Sequence, residues 1–131
     1  LAYILGACML IAARCSDHAE SEDAGKGGDV TFVVKPKHHS TPIHSQGSYP
    51  DTVMIKYNTQ EYPGASPSLY DLIVVGDSGE DHVHVHGMKC GEYYIFATGL
   101  DTSIMERVLG GRPFSTAQKS GEIDIDVSVT E

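Results

Sequence analysis

The sequence has no tryptophan, only three cysteines and nine Lys plus Arg, and no apolar run long enough to cross a bilayer. Each shortage excludes something. Three cysteines cannot make a disulfide framework, and with no CxxC pair there is no dithiol or zinc-ribbon signature. Nine cations against 18 acids leave a net charge of -9, which argues against nucleic acid and against an anionic membrane surface, both of which need clustered positive charge. G-x-S-x-G, the Walker loop and G-x-G-x-x-G are also missing, so neither a nucleophile elbow nor a phosphate cradle is encoded. No window places apolar residues at helical spacing. The 131 residues leave room for one domain and a leader.

Residues 1–13, LAYILGACMLIAA, are uncharged and mostly apolar, and Arg14-Cys15-Ser16-Asp17 ends the run. As a helix they would span about 20 Å, short of the ~30 Å hydrocarbon core but right for a signal-peptide apolar region. No basic residue precedes the run, so a truncated leader is expected. The run resembles the end of a bacterial lipoprotein signal, in which a lipidated cysteine becomes the first mature residue. Leu5-Gly6-Ala7-Cys8 fits the usual motif better, yet apolar Met9-Leu10-Ile11 follows it. Ala12-Ala13-Arg14-Cys15 carries an awkward arginine, but the composition turns polar immediately after, which favours a leader of residues 1–15 and lipidation at Cys15.

Residues 16–28, SDHAESEDAGKGG, hold four acids, three glycines and no large apolar side chain, so a flexible acidic tether is expected. An acidic stretch behind a lipidated cysteine resembles the export signal of surface lipoproteins in some Gram-negative bacteria. That resemblance implies a membrane partner held through the lipid and a place at the outer membrane or cell surface, with a periplasmic or secreted domain as the alternative.

From Asp29 the pattern has period two. Strands are expected at 29–35, 52–57, 70–75, 81–86, 92–98, 104–109 and 122–129, separated by turn clusters at 58–68, 77–79, 87–91 and 110–113. In the last strand Ile123, Ile125, Val127 and Val129 alternate with polar residues, which gives one buried face and one wet face. The pattern predicts an all-β domain over 29–131, a single antiparallel β-sandwich of about seven strands. Asp77-Ser78-Gly79, Val85, Met88, Gly91 and Tyr93 resemble the transthyretin-like (prealbumin-like) sandwich of carboxypeptidase-regulatory and CNA-B-type domains. Residues 50–55 would be its preceding core strand and 122–129 its closing one. The resemblance implies a transthyretin- or Ig-like sandwich with Val83 and Val85 inside and Tyr93, Ile95 and Ala97 returning to the core. Such folds host stalks, adhesins, binding modules and a few enzymes.

With Val83 and Val85 inward, His82, His84 and His86 share the solvent face beside Asp81. Neighbouring imidazoles then lie about 6.6 Å apart along the strand, while zinc needs nitrogens at about 2.0–2.1 Å. One adjacent pair can reach an ion, and all three cannot easily do so. Asp81, Asp71, Glu80 or the loop histidines His38, His39 and His44 would complete a site, and Cys90 could add a soft ligand. Cys90 otherwise reads as a solvent-facing turn residue, and the histidines as an exposed polar face. The His-Val-His spacing resembles the copper strand of Cu,Zn superoxide dismutase, but no histidine follows His86 to fill out that enzyme's set. Asp77 to Asp81 lacks the ligand count of a calcium loop and reads as a hairpin turn. Tyr94 and Phe96 alternate against the core residues and offer an exposed partner surface, unless the 58–69 loop covers them.

These observations favour a non-catalytic extracytoplasmic lipoprotein acting as a binding or accessory module for a protein or glycan, with no certain cofactor. The alternative is a protein that binds Zn, Cu or Ni through His82, His84 and His86. A third reading is a small metalloenzyme using the same histidines.

Overall fold

Eight strands follow one another in the computed structural model, which describes residues 24–131. They are β1 (Lys26–His38), β2 (Thr41–Pro42), β3 (Thr52–Tyr57), β4 (Leu72–Val75), β5 (Val83–Met88), β6 (Gly91–Asp101), β7 (Glu106–Thr116) and β8 (Ser120–Val129). Helix is confined, among the described residues, to one 3-10 turn at Pro67–Leu69. The leader 1–15, with Cys8 and Cys15, lies outside the described residues. So does most of the 16–28 stretch.

The strands form two facing sheets. The first has β1 at its centre, with β8 along one edge and β5 and β2 along the other. The second runs β4-β3-β6-β7 and is antiparallel throughout. Period two explains the layering, because every second side chain points between the sheets. Val30, Phe32 and Val34 of β1, Val83 and Val85 of β5 and Ile125, Val127 and Val129 of β8 meet Val53, Ile55, Tyr93, Ile95, Ala97 and Val108 of the second sheet. Tyr93 sits at the centre, edge-on to Phe32 with ring centroids 5.1 Å apart. Its hydroxyl donates to the Lys89 carbonyl at 2.6 Å and accepts from the Gly25 amide at 2.8 Å. An all-β sandwich is therefore the fold, with Val83, Val85, Tyr93, Ile95 and Ala97 placed inside.

Four details differ from the sequence reading. The closing pair is parallel: Asp29 to His38 of β1 run alongside Ser120 to Val129 of β8, so the sandwich is not purely antiparallel. The domain also begins earlier than Asp29. Ala24 is buried, Gly25 is bonded to Tyr93 and β1 starts at Lys26, so the end of the expected tether belongs to the sandwich.

Gly110 to Pro113 is no turn but the middle of β7. Glycine is needed there for closeness: a Cβ on Gly110 would collide with the Ser128 carbonyl oxygen of β8, and one on Gly111 would meet the Tyr94 ring. Finally, Asp77 to Asp81 joins β4 of one sheet to β5 of the other, so it is a crossover and not a hairpin. It is docked by hydrogen bonds from the Gly79 amide to the Ser45 carbonyl and from the Ser45 amide to the Glu80 carbonyl, each 2.8 Å.

Candidate functional site

The two outer faces of the sandwich differ in chemistry. Outside the first sheet stand His84 and His86 of β5, Lys37 of β1 and Glu122, Asp124, Asp126 and Ser128 of β8, with a Lys37–Asp126 ion pair at 3.0 Å. Outside the second sheet stand Ile73 and Val75 of β4, Met54 of β3, Tyr94 and Phe96 of β6 and Leu109 of β7. Among the described residues the exposed large apolar side chains, Tyr62, Leu69, Ile73, Val75, Ile104, Met105 and Leu109, all lie on this second sheet or its loops.

The 58–70 segment folds over part of that second face. Tyr62 and Tyr70 lie on Phe96 at centroid distances of 5.7 and 6.0 Å, and the Tyr70 hydroxyl donates to the Gly64 carbonyl at 2.7 Å. Met54, Tyr70 and Phe96 become a second small core, with Tyr94 packed at its rim. Phe96 is only 2% exposed, so it is not the open partner surface that its strand phase suggested. A groove of about 440 Å³ remains beside this cover, lined by Tyr49, Met54, Pro67, Phe96, Arg107 and Leu109. The Arg107 guanidinium sits over the Tyr49 ring at 5.1 Å, which closes one end with a cation.

On the first face the three imidazoles line up as expected. His82 and His84 ring centroids are 4.7 Å apart, and those of His84 and His86 are 5.6 Å apart and nearly parallel. Asp81 Oδ1 lies 2.8 Å from His82 Nδ1, and Glu80 Oε1 lies 3.4 Å from His82 Nε2. The hydrogen bond with His82 holds the Asp81 carboxyl below its usual value, with a smaller contribution from His44. His86 Nδ1 lies 3.2 Å from the Thr31 hydroxyl. The strand supplies a row of donors, but among the described residues no third ligand closes on any pair of them. Among the described residues the group of three or more His, Cys, Asp or Glu whose ligand atoms all lie within 4.8 Å of one another is His38, His39 and Glu131.

His38 and His39 therefore do not serve the His82 strand. His38 ends β1 beyond its pairing with β5, whose last matched residues are Val34 and Val83. The sequence predicts a loop residue here, yet His38 is buried between two carboxylates: Asp101 Oδ2 at 2.7 Å from Nδ1 and Glu131 Oε1 at 3.2 Å from Nε2. The hydrogen bond with Asp101 is the main cause of a raised His38 pKa. Asp101 Oδ1 also accepts from the Ser103 amide and hydroxyl, at 2.9 and 2.6 Å, and these bonds with His38 hold its pKa at about 2. Neither Asp101 nor Glu131 was a candidate from sequence, since nothing in the spacing ties them to residue 38.

Cys90 is buried and disulfide-bonded, not a solvent-facing turn thiol, and its sulfur is not open to a metal. Asp51 is buried without any exposed surface, and neither carboxylate oxygen meets a hydrogen-bond donor among the described residues. Burial, with the nearby Asp81 charge, pushes its pKa up to about 7. No family model, curated protein or solved structure matches this chain.

Proposed function

We propose that this chain is a non-catalytic extracytoplasmic module, carried on a lipid-modified leader, that docks a partner protein on the outer face of its second sheet. The observation that carries this is the asymmetry of the two faces. A row of large apolar groups beside a groove, with Val75 56% exposed, is costly to leave in water and is typical of protein contact surfaces. The disulfide at Cys90 supports an oxidising compartment.

A palmitate analogue should label the full chain but not the Cys15→Ser variant. Label that survives Cys15→Ser places the anchor elsewhere. For the docking face, a photoreactive residue at Ile73 should give one discrete protein adduct in the producing cell's envelope. Leu69→Lys/Val75→Lys should abolish it and His84→Ala should spare it. Yields no higher than with the photoreactive residue at Ser128, or adducts with glycan alone, reject a protein partner.

A second reading, transition-metal capture by the His82-His84-His86 strand, rests on the exposed row of imidazoles flanked by Glu80 and Asp81. Zinc and copper titration of the full chain against His82→Ala/His84→Ala tests it. Affinity that stays millimolar, or that ignores the substitutions, removes it.

A further inference from the structure

We infer that His38, His39 and Glu131 form a binding site for one divalent transition-metal ion of the zinc class, separate from the His82 strand and independent of the docking face. The residues come together through the fold. β1 ends at His38, the chain reverses through His39 and Ser40, and Thr41 pairs back against His38. Both turn residues have positive φ, 52° and 68°, the conformation a two-residue hairpin requires and one that a histidine rarely takes. It sets the His39 ring against His38 with centroids 4.1 Å apart. The parallel register of β8 ends on Val129 beside His38, which delivers Glu131 to the same point.

The spacing of the ligand atoms makes the case: those of His38, His39 and Glu131 all lie within 4.8 Å of one another. Asp101 Oδ1 already accepts two hydrogen bonds from Ser103, so the carboxylate acts as an acceptor and His38 Nδ1 must donate to Oδ2. His38 Nε2 then faces Glu131 Oε1, 3.2 Å away. A proton on Nε2 can fill that gap in the protonated ring, and a metal ion can take the same place in the neutral one. That separation is close to the roughly 3.4 Å between two ligands of a tetrahedral zinc with bonds near 2.0–2.1 Å. His39 offers a third donor within 4.8 Å. Asp101 is the outer carboxylate that fixes the tautomer and orientation of a ligating histidine. The fourth position opens to a cleft of about 370 Å³ lined by Thr41, His44, Thr102 and Ser103.

The test is calorimetric titration of the metal-stripped full chain with zinc chloride, paired with cobalt substitution read by visible absorption. One ion should bind on the order of micromolar or tighter. His39→Asn, chosen because asparagine tolerates positive φ, and Glu131→Gln should each weaken it about tenfold or more. Each should also alter the cobalt spectrum, while His82→Ala/His84→Ala should leave this ion in place. Millimolar binding, a site insensitive to His39→Asn and Glu131→Gln, or one lost only with His82→Ala/His84→Ala would overturn the inference. Thermal melts of the metal-free variants separate a lost ligand from a lost fold.

Discussion

A carboxyl group shut away from water holds its proton to higher pH, and Asp51 is in that position. Its folded pKa of about 7 lies above the unfolded value of 3.8. Below pH 3.8 both states are protonated and nothing is lost. Between pH 3.8 and about 7 the folded protein keeps a proton that the unfolded chain has released, so this residue's contribution to stability falls as pH rises. Asp51→Asn removes the titration, so its stability relative to the parent should increase from pH 4 to pH 7.5, by an amount on the order of 4 kcal/mol. Urea unfolding at both pH values checks this, and a constant difference would refute it. Nothing in the sequence marks Asp51. It reads as the polar start of a strand, and its burial depends on the 43–45 and 76–81 segments crossing it. The burial of His38 and its pairing with Asp101 and Glu131 were hidden for the same reason, since those carboxylates come from distant parts of the chain. The outward phase of His82, His84 and His86 was legible because their alternation with Val83 and Val85 is local.

At the scale of elements, the outer cover of the second sheet makes a clear distinction between burial and exposure. Phe96 lies under Tyr62 and Tyr70, so Phe96→Ala should cost about 3–5 kcal/mol in chemical unfolding. Ile73→Ala, on the open part of the same face, should change stability by about 0.5 kcal/mol or less. Equal costs would mean that the 58–70 segment is not packed as described. In β7, Gly110→Ala should destabilise by about 1–3 kcal/mol or more, because the new methyl meets the Ser128 carbonyl of β8. A neutral thermal melt would contradict that contact. This strand was also the main failure of period-two reading. Glycine and proline usually punctuate, but here the approach of β8 from the other sheet explains Gly110 and the Tyr94 ring on β6 explains Gly111 within a continuous β-segment. The expected β3 bounds agree with the observed ones, since its apolar run Val53-Met54-Ile55 lies between clear loop signals.

The whole molecule is closed by its most distant parts. β1 and β8 pair over ten residues each, Phe32 opposite Ile123, so the first described strand cannot complete its sheet until the last has been made. A chain ending at Lys119 should therefore stay unfolded, with a collapsed amide spectrum by NMR; dispersed, native-like peaks would show that β8 is dispensable. The parallel sense of this pair has a mechanical consequence. Tension applied through residues 24 and 131 pulls the two strands past each other along their length, so their ladder is loaded in shear and all its bonds share the force. Pulling instead on Glu92 and Ser115, paired at the open end of the β6–β7 hairpin, would peel bonds one at a time. Single-molecule stretching should find the first geometry markedly stronger, a resistance that the anchored, partner-docking role proposed above would draw on.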